Sequence, residues 1–203
     1  MIFIDLFPKT ISITDNLLSD DEHYSVIKFI QNYDVNSYLK DIEENKKTAF
    51  DFLEKDKSLI TLKNKILQKF SNYFFKIYEN NNTDFKITTS WLKALKPNHS
   101  YDLHNHRNAM YSCSYYLTTQ NEGAGGNIVF VNTNTDSFYI LNENKIDKNE
   151  FFVKPVKNRL IIFPSFLYHK VQKNLDFITR YSINCNLMPL KKIGEFDSSY
   201  YFN

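Results

Sequence analysis

The residues of this chain best equipped for chemistry are the tripeptide His104-Asn105-His106, a distant His169 and the run Arg180-Tyr181-Ser182. Side chains two apart on a strand point the same way, so His104 and His106 can offer two imidazoles to one face. Imidazole is the commonest protein ligand for divalent transition metals. A third imidazole from another strand, His169, can complete one face of a coordination sphere. Arg180 carries a planar fork that gives two parallel hydrogen bonds to a carboxylate. A metal together with a carboxylate is therefore the chemistry on offer. Each signal also has a plainer reading, since a histidine pair beside a turn can be solvated and a lone strand histidine is more often structural.

These residues need a scaffold that brings three separate stretches together. The chain has 203 residues, 42% of them hydrophobic and 16% aromatic, which is enough to bury a core without disulfides. We expect one domain, 1–203, with an N-terminal strand and supporting helices over 1–84, a β core over 85–190 and a tail over 191–203. In the first part, Ile11 and Ile13 alternate with polar neighbours as a short strand. Ser19-Asp20-Asp21-Glu22 reads as a capping box that starts a helix. Residues 34–55 read as a polar loop with a helical turn. Leu59, Leu62, Ile66, Phe70, Tyr73 and Ile77 recur at steps of three and four, the stripe of a second helix packed on a core.

From Phe85 onward the pattern changes to short strands: 86–95, 101–106, 110–118, 127–131, 137–141, 151–156, 159–163, 167–172 and 178–187. Three of the four glycines fall in Gly123-Ala124-Gly125-Gly126, which marks a turn at positive φ. So many short strands suggest a sandwich or jelly roll, with the helices supporting one sheet. In the last strand Arg180, Ser182, Asn184 and Asn186 alternate with Tyr181, Ile183, Cys185 and Leu187. One face is polar and the other apolar. The polar face either meets solvent, as in most antiparallel sheets, or lines an interior site. Tyr116 shares a strand face with Ser112 and Ser114. Trp91 reads as core, His23 and His99 as surface, and Arg107 and Asn108 as a solvated loop at the site mouth or, alternatively, as substrate contacts there. Cys113 and Cys185 lack metal spacing and read as buried, reduced thiols.

The net charge is +2 with basic residues spread along the chain, so neither nucleic acid nor a membrane surface is called for. There is no apolar run long enough to span a bilayer and no signal-peptide pattern at Met1-Ile2-Phe3. A cytoplasmic setting is expected.

The ordered set His104-Asn105-His106, Tyr115-Tyr116-Leu117, Gly125-Gly126-Asn127-Ile128-Val129-Phe130, Phe163-Pro164 to His169 and Arg180-Tyr181-Ser182 resembles the 2-oxoglutarate- and iron(II)-dependent oxygenases. It is most similar to their small prolyl-4-hydroxylase-like branch. The resemblance covers about Trp91 to Leu187. It implies a double-stranded β-helix, that is, a jelly roll, carrying Fe(II), 2-oxoglutarate and O2. It implies His104, His106 and His169 as metal ligands, and Arg180 as the clamp for the distal carboxylate with Ser182 and Tyr116 as partners. The family more often carries a carboxylate where His106 stands. His106 is then either a third neutral ligand or a neighbour of the metal with water in the gap. Two other readings of the same residues are a cupin-like three-histidine dioxygenase without 2-oxoglutarate and a non-catalytic jelly-roll binding module. The primary substrate and the oligomeric state are not specified by the sequence.

Overall fold

The computed structural model describes residues 9–79, 83–119, 121, 123–133, 150–193 and 196–202. The expected strand 137–141 lies outside them. Among the described residues three α-helices precede a set of antiparallel strands. After β1 (Ser12–Thr14) comes α1 (Asp20–Asn32), which begins at the expected capping box: the Ser19 hydroxyl accepts from the Glu22 amide and the Glu22 carboxylate accepts from the Ser19 amide. Residues 34–55 are more ordered than a loop. Asp34 caps α2 (Val35–Glu43), and two 3₁₀ turns follow at Lys47–Phe50 and Phe52–Glu54. The apolar positions Val35, Tyr38, Leu39 and Ile42 have helical spacing, but polar residues outnumber them, which hides the pattern in a sequence window. α3 (Lys57–Tyr78) buries Leu59, Leu62, Ile66, Phe70 and Tyr73, with Ile77 half-buried.

The strands are β2 (Phe85–Leu95), β3 (Tyr101–His104), β4 (Tyr111–Tyr116), β5 (Ile128–Val131), β6 (Glu150–Val153), β7 (Arg159–Pro164), β8 (His169–Val171) and β9 (Arg180–Pro189). A C-terminal hairpin of β10 (Lys191–Ile193) and β11 (Tyr200–Phe202) follows. β1-β7-β4-β9-β2 form a five-stranded sheet and β3-β8-β5-β6 a four-stranded one.

The alternation in β9 decides which way the large sheet faces. Cys113 pairs with Cys185 and Tyr115 with Ile183 across β4 and β9, and directly opposed residues share a face. That face carries Tyr111, Cys113, Tyr115, Leu160, Ile162, Ile183, Cys185 and Leu187, and it packs on Leu59, Leu62, Ile66 and Phe70 of α3. Each such side chain, fully withdrawn from water, contributes about 1.5–3 kcal/mol. The opposite face carries Arg180, Ser182 and Asn184 with Ser114 and Tyr116 opposite them. It turns inward: all five are buried.

His23 is buried rather than superficial, at 2% exposure. Its Nδ1 lies 2.5 Å from the Tyr115 hydroxyl, which donates to Asn158 Oδ1, and Asn158 also bonds the Leu18 backbone. The network ties the start of α1 to the sheet and leaves His23 Nε2 buried without a partner. At the outer edge of the large sheet the Tyr38 hydroxyl accepts from the Leu92 amide and the Tyr101 hydroxyl donates to the Ala94 carbonyl.

Candidate active site

β3 and β8 hold the first two histidines. Tyr101 opposes Val171 and His104 opposes His169, so β3 spends three steps where β8 spends two. This irregularity turns His104 onto the face of His169; a regular register would have put Leu103 there. His106 sits just past the end of β3. Its amide donates to the Ser165 carbonyl, and the Ser165 amide donates to Met110, which pins the loop against the turn before β8. The three imidazoles converge, with ring centroids 4.4 Å apart for His104 and His169, 5.2 Å for His106 and His169, and 5.6 Å for His104 and His106. One ring nitrogen from each lies within 4.8 Å of the other two.

The other ring nitrogen is tied in every case. His104 Nδ1 meets the Asp102 carbonyl at 2.7 Å and His169 Nδ1 the Leu167 carbonyl at 2.9 Å. His106 Nδ1 lies 2.7 Å from Ser112 Oγ and 2.9 Å from Asn186 Oδ1. Carbonyl oxygens only accept, so Nδ1 carries the proton and Nε2 keeps its lone pair free, as metal-binding histidines are normally arranged. Burial holds the His106 imidazole below its ordinary range. Burial also takes His169 from 6.5 to about 3, helped by the charges of His104, His106 and Lys93. Both rings are therefore neutral at physiological pH.

A stability consequence follows. The unfolded chain takes up a proton at this histidine near pH 6.5 while the folded protein refuses it until about pH 3. The unfolded state binds more protons across that window, so stability falls as pH is lowered through it, by up to about 1.4 kcal/mol per pH unit. Metal-free protein melted between pH 6.5 and 4.5 should lose this contribution, and His169→Asn should show a shallower slope. Parallel slopes for the two proteins would contradict the assignment.

Arg180 closes the other end of the cavity. It is 2% exposed. Its Nη1 donates to the Gly126 carbonyl at 2.6 Å and its guanidinium stands 5.1 Å over the Tyr116 ring. Its Nε is buried without a partner. The glycine turn supplies that carbonyl: Gly125 has φ +70°, and a Cβ there would lie 2.3 Å from the Lys173 carbonyl oxygen, so only glycine fits. A buried guanidinium with a spare donor and no carboxylate beside it asks for an anion. Ser182, directly opposite Tyr116, borders the same space.

The structure thus brings His104, His106, His169, Arg180, Ser182 and Tyr116 to one cavity. Arg107 and Asn108 are exposed and outside its lining. Trp91 is not core: it is half-buried, with its ring 5.7 Å from that of His106. Lys93 is a residue that sequence reasoning missed. It lines the cavity, its ammonium lies 3.4 Å over the Tyr101 ring, and burial, with the Arg180 charge, lowers it to about 8. The signal was a lone lysine inside the apolar run Trp91-Leu92-Lys93-Ala94-Leu95. The cavity is narrow, about 30 Å³.

Residues 89–186 match the family described as "Putative 2OG-Fe(II) oxygenase". The match spans just under half of the chain, the strands that carry the site, and gives that stretch the signature of the 2-oxoglutarate–iron(II) oxygenases. The chain is similar in fold to a prolyl-4-hydroxylase from Pseudomonas putida, at 17% identity and a TM-score of 0.55 over 88% of this chain and 86% of that one. It is also similar to HygX from Streptomyces hygroscopicus, solved with nickel and 2-oxoglutarate, at 10% identity and a TM-score of 0.59 over 88% and 81%. HygX with iron bound gives the same identity and TM-score over 88% and 82%. No curated protein matches the chain. The donor set fits Fe(II) and 2-oxoglutarate: three tied imidazoles for the metal and a buried guanidinium with a spare donor for the cosubstrate. Among the described residues no helix is long and apolar enough to cross a membrane.

Proposed function

We propose that His104, His106 and His169 hold iron(II) through Nε2, that Arg180 with Ser182 and Tyr116 holds the distal carboxylate of 2-oxoglutarate, and that the reaction is a hydroxylation. The two sheets then form the halves of a double-stranded β-helix within a single domain, with residues 1–84 as its support and 191–203 as a tail. Together, bound iron and 2-oxoglutarate supply the oxidising power: O2 is consumed, succinate and CO2 leave, and a substrate C–H bond gains oxygen. The observation that carries the reading is the convergence of three tied imidazoles on one cavity with a buried, acid-free guanidinium.

The protein's own contribution is placement. Asp102 and Leu167 carbonyls fix two rings, and Ser112 and Asn186 fix the third. Ser112 donates to Asn186 Oδ1 at 2.8 Å and lies 2.7 Å from Ser165 Oγ, so the His106 support is itself braced. Phe163, Ile128 and Val171 wall the cavity against water. Three neutral ligands leave the charge of the metal uncompensated where a carboxylate would reduce it. Retention of iron should therefore depend more on the dianionic cosubstrate than in a two-histidine, one-carboxylate site.

Incubation with Fe(II), 2-oxoglutarate and O2 should release succinate even without a primary substrate, at a slow uncoupled rate. Succinate absent from wild-type protein that demonstrably holds iron would sink the proposal.

A further inference from the structure

A larger hollow lies beside the site cavity. Trp91 and Lys93 line the cavity, and the same two residues line a groove of about 740 Å³ running between α2, the edge of β2 and the start of β3. The wall of the groove is largely apolar, with Leu39, Ile42, Phe50 and Tyr101. Its charges are unbalanced: Lys40, Lys93 and Lys96 face a single carboxylate, Glu43. The inner cavity adds Arg180, and among the described residues no Asp or Glu lines it. A dication on neutral imidazoles, with Arg180 and Lys93, outweighs the two charges of 2-oxoglutarate. A neutral or cationic substrate would leave that excess uncompensated in a poorly solvated space.

We infer that this groove admits the primary substrate and that the substrate is an acidic small molecule, an apolar or aromatic body bearing a carboxylate, phosphate or sulfonate. The inference rests on the oxygenase reading of the site. The groove is large enough for such a body, its walls suit it, and the lysines set the sign of the charge and speed its capture. The Lys93 ammonium, parked on Tyr101 at the junction of groove and cavity, is where the acid group would be met last.

The test uses a matched pair of probes, anilinonaphthalene sulfonate and its sulfonate-free analogue phenylnaphthylamine. Trp91, the single tryptophan, borders the groove and serves as energy donor. On protein loaded anaerobically with Fe(II) and 2-oxoglutarate, the sulfonate should bind saturably and about tenfold more tightly than the neutral probe. The Lys40→Ala/Lys96→Ala double variant changes two exposed positions and should lose about fivefold in affinity for the sulfonate alone. Equal affinity for the two probes, or sulfonate binding indifferent to the lysines, would overturn the inference. The oxygenase reading is checked separately by calorimetric titration of 2-oxoglutarate into the iron-loaded protein: if that fails while the sulfonate preference holds, the site assignment is at fault and the groove is not.

Discussion

His169→Ala is expected to strip the protein of its metal. The wild type offers three imidazoles whose free nitrogens lie within 4.8 Å of one another; the variant offers two, on a strand and the loop beyond it. Loss of a residue that merely orients a ligand weakens metal binding by about 10–100-fold, and loss of a ligand must exceed that. Iron content after anaerobic reconstitution and dialysis should fall at least about 100-fold in affinity terms, and succinate release should fall with it. Circular dichroism separates this from unfolding. Ser112→Ala and Asn186→Ala, which loosen His106 without deleting it, should lie between variant and wild type. His106→Asp should bind iron at least as well as the wild type, since it exchanges a neutral donor for an anion beside a dication. Full iron content in His169→Ala would remove the three-histidine centre from consideration.

Arg180→Met should separate the cosubstrate from the metal. The guanidinium is buried, its Nε has no partner, and its acceptors are the Gly126 carbonyl and the Tyr116 hydroxyl, with no carboxylate among them. Without ligand, that buried charge is a burden on the fold, so the metal-loaded variant should melt no lower than the wild type. With ligand, removing one member of a buried charge pair costs about 2–5 kcal/mol, so affinity for 2-oxoglutarate should drop about 30-fold or more. The stabilisation that 2-oxoglutarate gives the wild type in a thermal melt, which grows with ligand over Kd, should vanish while iron content is unchanged. Arg180→Lys keeps the charge but loses the fork and should recover only part of the affinity. Equal 2-oxoglutarate stabilisation in Arg180→Met and wild type would mean the clamp is elsewhere.

Much of this site was legible because it depends on strict periodicity. The alternation along Arg180–Leu187 named one polar and one apolar face, and both have the partners that pattern demands, the cavity and α3. The stripe of α3 and the Ser19 cap rest on local geometry and were equally plain. What stayed hidden is non-local. The irregularity between Tyr101 and His104 reverses the parity of β3, and no local pattern announces it. Lys93 is an ordinary lysine until β9 is laid beside it. His23 looks superficial among acidic neighbours until Tyr115 and Asn158 arrive from the sheet. α2 is concealed by its polar majority, since its apolar side is completed by Phe52 and Leu53.

The two tyrosine hydroxyls on the rim of β2 have a consequence of a different kind. A strand at a sheet edge exposes unpaired amides and carbonyls, a template on which another chain can add itself. Here Tyr38 occupies the Leu92 amide and Tyr101 the Ala94 carbonyl, from elements far apart in sequence. The strand that carries Trp91 and Lys93 can thus stay open on the side facing the groove without becoming a seed for aggregation.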